Sequence, residues 1–372
     1  MNMPILGGLS AASFMRRYWQ KEALLARKAE PSFRGLATPQ QLFKLACRDD
    51  VESRLLVRER GKWALSHGPF RASDFRTLPE RDWTLLVQGL NLHLPEGDAL
   101  VRRFSFIPYA RLDDLMVSYA VPGGGVGPHF DSYDVFLLQG SGRRRWRIGR
   151  QKDETLLPGL PLRILKHFTP TYDFVVEPGD LLYLPPEYAH DGIAVDTCTT
   201  YSIGMRASPA EEVATAFLDW LRDSLPLRGR YTDPDQKPTR EPARIDAAMH
   251  RRFDRVLQQV QWNDAAVARF LGAYLTEPKP TTFFDHPAKP LPIRAFARAA
   301  MRRGVVLDRR TQMLYDRRNV YINGGDAPCR RGERSALEKL ANARALSGSA
   351  LHGETLIVLL HGWYRDGFVH LG

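Results

Sequence analysis

Between residues 143 and 148 the chain alternates strictly, placing Arg143, Arg145 and Arg147 on one side of an extended strand and Arg144, Trp146 and Ile148 on the other. Trp146 and Ile148 belong inside, so Arg144 is read as a cation on the inner face. The same parity divides residues 200–205. Thr200, Ser202 and Gly204 share a small-residue side with room for a ligand, and Tyr201, Ile203 and Met205 form a bulky one. Ser202 is therefore a pocket candidate, with packing against a neighbouring strand as the alternative. The apolar runs Tyr133 to Leu138 and Leu181 to Leu184 read as buried strands. Gly140-Ser141-Gly142, between the first run and the arginine strand, is a hairpin signal, and Glu177-Pro178-Gly179-Asp180 is a turn.

The period changes after Pro209. Val213, Phe217, Trp220 and Leu221 are spaced at three and four, which predicts a helix with Ser208 as its N-cap and an end near Leu225-Pro226. Gly229 to Pro242 reads as an extended loop. Residues 243–276 resume as helix with Phe253, Val256, Leu257 and Val260 as its apolar stripe. A second proline-rich linker, Pro278 to Pro292, precedes a last region. There Val305 to Leu307 and Met313 to Tyr315 flank a turn, Asn319 to Gly325 supplies a strand and turn, and Leu337, Leu340 and Leu346 read as helix. Helix, sheet wing and helix suggest a winged helix, through which Arg309, Arg310, Arg317 and Arg318 would contact DNA if it bound any. The domain boundaries expected are 1–208, 209–277 and 278–372.

The candidate chemistry lies in His129-Phe130-Asp131 and in His190, which follows Asp131 by 59 positions after Pro185-Pro186. Residues two apart on a strand share a face, so His129 and Asp131 can grip one ion, with His190 as a distant third ligand. Two imidazoles and a carboxylate leave the opposite coordination positions open, the arrangement by which non-haem Fe(II) oxygenases admit a co-substrate and O2. Arg144 adds a planar fork suited to the far carboxylate of an organic diacid whose other end chelates the metal, a structural ion pair being the alternative. Gly123-Gly124-Gly125 and Gly127-Pro128 turn the chain into the first ligand and are no phosphate cradle, since no Lys-Ser/Thr pair follows. His352-Gly353-Glu354 has the same spacing as the first pair but no third ligand, and reads as a loop and helix start.

Composition narrows the class. A 372-residue chain with 44% hydrophobic residues is globular and long enough for two or three domains. Three scattered cysteines suggest neither a disulfide framework nor a cysteine zinc site, and a reducing cytosol fits. The first residues lack a basic leader and are not expected to be a signal peptide, and no run of 18 apolar residues predicts a membrane span. The net charge of +11 comes from 43 arginines and only ten lysines, a bias that coding composition explains as well as a polyanion partner does. A basic enzyme acting on a basic protein would have to gather acidic residues around its cleft.

Asp113 to Met116, Pro122 through His129, Gly142 through Arg147, and Glu177-Pro178-Gly179-Asp180 with Pro185-Pro186 together resemble the bacterial JmjC-type ribosomal oxygenases. The likeness extends to Tyr18-Trp19-Gln20-Lys21, Leu24-Leu25, Gly61-Lys62-Trp63 and Ser66 to Phe70, and more loosely to the last third. It implies an α+β chain with a double-stranded β-helix (cupin/JmjC) core, a helical dimerisation region and a winged-helix-like C-terminal domain. Carried over by position, it puts the iron ligands on His129, Asp131 and His190, and the 2-oxoglutarate-binding basic residue on Arg144. It further implies a cytoplasmic homodimer that uses Fe(II), 2-oxoglutarate and O2 to hydroxylate an arginine of large-subunit ribosomal protein L-sixteen. Glu187-Tyr188-Ala189 before the third ligand and the arginine-rich last third depart from that pattern and bear on substrate rather than cofactor. The alternatives are a cupin-type metal-binding regulator or scaffold with a DNA-binding winged helix, a zinc hydrolase, and a JmjC-type demethylase of methyl-lysine.

Overall fold

The computed structural model describes every residue except Met1, Pro226, Pro328 and Arg331. Its first 205 residues carry β1 (Leu24–Ala26), β2 (Ser53–Glu59), β3 (Lys62–His67), β4 (Trp83–Val87), β5 (Leu112–Ala120), β6 (Val135–Gln139), β7 (Arg144–Arg150), β8 (Tyr172–Val176), β9 (Leu181–Leu184), β10 (Tyr188–Ala194) and β11 (Cys198–Met205). Helices α1 (Ala11–Arg17), α2 (Pro39–Ala46), α3 (Leu90–His93) and α4 (Pro95–Arg102) accompany them. One sheet runs β1-β9-β6-β11-β5-β4-β2-β3 and a smaller one β10-β7-β8. The two face each other across Val135, Leu137, Trp146, Ile148, Leu182 and Leu184. The outer face of the large sheet packs on the helices through Phe14, Leu42, Phe104, Phe136, Tyr183 and Tyr201. A strand covered on both faces reads as an unbroken apolar run, which is why β6 and β9 show no alternation. This is the double-stranded β-helix that the resemblance implied.

The expected hairpin between β6 and β7 does not form, because the two strands lie in different sheets. Gly140-Ser141-Gly142 instead carries the chain from the large sheet to the small one, hard against β11. A Cβ on Gly140 would stand 2.5 Å from Thr199 Oγ1 and 2.7 Å from Tyr201 Cε2, and Gly142 has φ 59°. These glycines serve a crossing rather than a two-residue turn. Just before β6, the fully buried carboxylate of Asp134 accepts hydrogen bonds from Tyr183 Oη (2.6 Å), Gln20 Nε2 (2.9 Å) and Arg111 Nη2 (3.3 Å). This anchor fixes the segment three residues after Asp131.

Beyond β11, α5 (Ala210–Ser224) begins after Pro209 with no side-chain cap. Ser208 Oγ, the expected cap, accepts a hydrogen bond from Tyr274 Oη instead (2.7 Å). The helix ends at Ser224 with Leu225 as its C-cap, near the predicted Leu225-Pro226, and Pro226 lies outside the described residues. The single helix expected over 243–276 is two, α6 (Ala247–Leu257) and α7 (Asp264–Thr276), because Asn263 accepts the Ala266 N–H and starts a new one (3.0 Å). Phe217 and Trp220 of α5 pack on Phe270 of α7, whereas no residue of α6 is buried.

The last region holds α8 (Ile293–Arg303), β12 (Val305–Leu307), β13 (Met313–Tyr315), β14 (Val320–Ile322), β15 (Gly325–Ala327), α9 (Arg334–Ala343), β16 (Ala345–Leu346), α10 (Glu354–Arg365) and β17 (Val369–Leu371). Strands β16-β12-β17 form one sheet and the meander β13-β14-β15 another, so the segments expected to flank one turn part company. Leu346 is a strand residue, not a helical one: Arg344, at φ 58°, ends α9 in the left-handed region and turns the chain into β16. A separate core of Phe296, Leu337, Leu340, Leu360 and Trp363 holds this winged helix together. Among the described residues no helix is long and apolar enough to cross a membrane.

Candidate metal centre and co-substrate pocket

His129 and His190 stand directly opposite each other and exchange backbone hydrogen bonds of 3.0 and 2.9 Å. The strand expected through His129 shrinks to this one bridge. Past it the chain leaves the ladder, which brings the Asp131 carboxylate back between the two rings. Its oxygens lie 3.7 Å from His129 Nε2 and 3.6 Å from His190 Nε2. Both separations are too long for hydrogen bonds, so the three donors converge on a common point without satisfying one another. Each ring commits Nδ1 to a main-chain carbonyl, His129 to Gly127 (2.8 Å) and His190 to Tyr188 (3.1 Å). That leaves both Nε2 atoms facing inward as lone-pair donors. Burial, and then the neighbouring His129, push His190 down to about 4, so its ring is neutral and ready to ligate at ordinary pH. The donor set fits a divalent transition metal, and among the described residues it is the one cluster of three or more such side chains.

Arg144 lies on the inner face of β7, 4% exposed, as its parity predicts. Its Nη2 donates to Ser118 Oγ (2.9 Å) and approaches Cys198 Sγ (3.8 Å), while its Nε is buried with no partner. A guanidinium buried without a carboxylate costs several kcal/mol unless an anion arrives. The outward arginines of the same strand are all paired, Arg143 with Asp196 (2.8 Å), Arg145 with Asp173 (2.5 Å) and Arg147 with Asp191 (2.5 Å). Trp146 bridges the interval to the metal ligands. Its ring lies 5.8 Å from that of His190 and 5.8 Å from Arg144 Cζ, and its Nε1 is a second buried donor without a partner. Gly192 makes room for it, since a Cβ there would stand 2.6 Å from the indole.

Ser118 went unnoticed in the sequence. Its parity on β5 was legible, but its position opposite Arg144 depends on how two sheets stack. Ser202 lies on the inner face too, paired with Met116 and Leu137 and buried. Two residues on, the open face of Gly204 looks onto Asp114 and Tyr133. Here the acidic residues demanded of a basic enzyme are gathered. Asp113 and Asp114 meet Lys279 of the linker at 3.1 and 3.6 Å, and burial raises the Asp114 pKa against the opposing pull of Lys279. A cavity of about 940 Å³ opens beside Asp131, lined among others by Phe130, Ser132, Glu154, Leu156 and Pro186.

Two of the four arginines read as DNA contacts are spent inside the protein. Arg309 Nε donates to the Leu92 carbonyl (2.8 Å), and Arg310 is held by Asp308 (2.7 Å) and Asp285 (2.8 Å), leaving only Arg317 and Arg318 exposed. His352 and Glu354 sit at the start of α10, as expected of a decoy.

The JmjC domain family matches residues 99–213, and a ROXA-like winged helix matches residues 259–370. The ribosomal protein uL16 3-hydroxylase of Escherichia coli is 34% identical over 97% of this chain and 97% of its own length. A probable ribosomal oxygenase of Haemophilus influenzae is 43% identical over 52% of this chain and 48% of its own length. Among solved structures, the E. coli ribosomal oxygenase YcfD in complex with cobalt and 2-oxoglutarate superposes with a TM-score of 0.81, 32% identity and coverage of 97% of this chain and 98% of that one.

Proposed function

Because this chain belongs to the JmjC-domain ribosomal oxygenase family, we propose that it hydroxylates an arginine side chain of the large-subunit ribosomal protein uL16. It is a 2-oxoglutarate-dependent dioxygenase whose cofactors are Fe(II), 2-oxoglutarate and O2. With these bound, the iron centre couples decarboxylation of 2-oxoglutarate to insertion of one oxygen atom into an unactivated C–H bond. In our reading His129, Asp131 and His190 hold the metal through two Nε2 atoms and a carboxylate. The unpaired Arg144 guanidinium, with Ser118 beside it, binds the far carboxylate of the co-substrate, and this observation carries the reading. The Trp146 ring keeps water from the space between. Zinc hydrolysis gives Arg144 no anion to bind, and the regulator reading loses two of its four DNA-contact arginines.

An arginine target brings a cation to the mouth of the barrel, where it would have to displace Lys279 from the carboxylates of Asp113 and Asp114. Ser202, on the same inner face, is a further lining residue in this proposal. Two copies associate through the exposed apolar stripe of α6, and the enzyme works in the cytoplasm, where ribosomal proteins are made. Intact mass spectrometry of ribosomal proteins from cells with and without the gene tests the substrate. Loss of about 16 Da, one oxygen atom, from uL16 alone in the deletion supports it, and an unchanged uL16 mass overturns it.

A further inference from the structure

On β5 the inner face runs from Ser118, which touches Arg144, through Met116 to Asp114, about 13 Å along the strand. Asp114 therefore stands inside the barrel, at the end away from the Arg144 guanidinium, with 11% of its side chain exposed. Its two oxygens face different ways. Oδ2 accepts the Gly89 N–H (3.3 Å) and lies 3.6 Å from Lys279 Nζ, whereas Oδ1 turns toward β11, where a Cβ on Gly204 would stand 3.6 Å from it and 3.9 Å from Tyr133 Cε2. Tyr133 follows Asp131 by two residues, so this corner adjoins the candidate metal centre. Lys279 reaches it from the linker, whose main chain is pinned on both sides. Before it, Thr276 Oγ1 accepts the Gly324 N–H of the winged helix (2.9 Å); after it, Arg310 donates to Phe283 O (2.6 Å) and to Asp285 (2.8 Å). The Thr282 N–H closes a turn on Lys279 O (2.8 Å), so the residue sits on a fixed loop and only its four-carbon stem can move. That side chain is 44% exposed and has solvent to swing into.

Two adjacent carboxylates, one of them nearly buried, need a cation at all times, because an unpaired buried charge is strongly destabilising. A target arginine would supply that charge during turnover, and Lys279 supplies it between turnovers. We propose that Lys279 is a built-in competitor of the substrate, an autoinhibitory latch that fills the cation site of the resting enzyme and swings out when the target guanidinium enters. A half-exposed lysine pair is weak, so its release costs little. The guanidinium is more weakly hydrated and binds a carboxylate through two N–H groups at once, so it displaces an ammonium that meets Asp113 at 3.1 Å and Asp114 only at 3.6 Å. When the product leaves, Lys279 returns at once, since its effective concentration is set by a short, pinned loop. This role rests on the reading that an arginine of uL16 is the substrate.

Two measurements on the full, Fe(II)-loaded chain test the latch, with peptides tiling uL16 as substrate. In the first, the wild type is held anaerobic with 2-oxoglutarate, and reductive methylation of Lys279 is followed by peptide mapping with and without the uL16 peptide. Release predicts that labelling of Lys279 speeds up about threefold or more when the peptide saturates, and an unchanged or slower rate overturns the latch. In the second, initial rates of oxygen addition are compared at about pH 8, chosen to keep Asp114 ionised when its lysine is removed. Lys279→Met should lower the peptide KM about fivefold, because the competitor no longer holds most molecules closed, and Lys279→Arg, which installs a guanidinium like that of the substrate, should raise it about fivefold. In both variants kcat and the 2-oxoglutarate KM should stay within about twofold of wild type. A purely structural ion pair predicts a raised peptide KM in Lys279→Met and no change in Lys279→Arg, and either result overturns the latch. Should Lys279→Met fail to fold, judged by its thermal transition, Lys279→Arg and the labelling of the wild type decide alone. Oxygen addition to uL16 without these shifts overturns the latch and leaves the substrate assignment standing. A wild type that consumes 2-oxoglutarate and adds oxygen to no uL16 peptide overturns both.

Discussion

At the scale of the residue, the protein keeps a few polar atoms unpaired where ligands belong. Arg144 is the clearest case, because every outward arginine on its strand has a carboxylate and it has none. Arg144→Met should raise the 2-oxoglutarate KM by about 100-fold, roughly the worth of a buried charge-assisted pair, with the Fe(II) affinity little changed; co-substrate titration checks both. With the three proposed ligands acting together, Asp131→Ala should abolish hydroxylation and the visible band that anaerobic Fe(II) and 2-oxoglutarate produce, and chelation of the wild type should do the same. Retention of that band in the variant would remove Asp131 from the ligand set. Parity exposed Arg144 in the sequence because side-chain direction on a strand is a local property, whereas His129 and Asp131 were legible by residue type and spacing although no strand runs through them.

At the scale of elements, strands hold the site by close approach of backbones. Gly192 lets the Trp146 ring lie against β10, between Arg144 and His190. Gly192→Ala should displace the indole and lower stability by about 1–3 kcal/mol, seen as a lower Tm together with a weaker co-substrate affinity. In the winged helix the Asp308 carboxylate accepts from Arg310 Nε (2.7 Å) and Nη2 (2.9 Å) and from His370 Nε2 (2.8 Å), tying β12 to the C-terminal strand. Burial alone would raise its pKa, yet the hydrogen bonds from Arg310 and His370 outweigh that and hold it below the usual carboxylate range. A depressed carboxylate stabilises fully above the unfolded-state value of about 3.9 and loses that contribution as pH falls through its folded value. Asp308→Asn should therefore cost about 2 kcal/mol at neutral pH, with the gap from wild type closing below about pH 3; urea titrations across that range decide it. The hairpin and the single long helix were misread for one reason: turn and cap signals say that the chain changes direction, not which sheet or helix receives it.

Over the whole molecule, the α6 stripe is exposed, with Phe253 at 52% and Leu257 at 65% exposure, although the Phe253 ring stacks on Tyr231 at 5.2 Å. Large apolar side chains clustered at this exposure mark an association face. If two copies associate as proposed, Phe253→Glu with Leu257→Glu should give a monomer in light scattering and leave peptide-free 2-oxoglutarate turnover intact. A wild type already monomeric at micromolar concentration would refute the dimer. The strand class and the inward arginine were legible in the sequence because each follows from period and residue chemistry along a few consecutive positions, and His129, Asp131 and His190 were legible as candidates by residue type. Only the tertiary structure decided that β6 and β7 part into two sheets, that Ser118 meets Arg144, and that Arg309 and Arg310 are consumed internally. Those facts depend on which distant residues share a neighbourhood, and the free energy of burying or pairing a polar group is set by that neighbourhood rather than by its place in the chain.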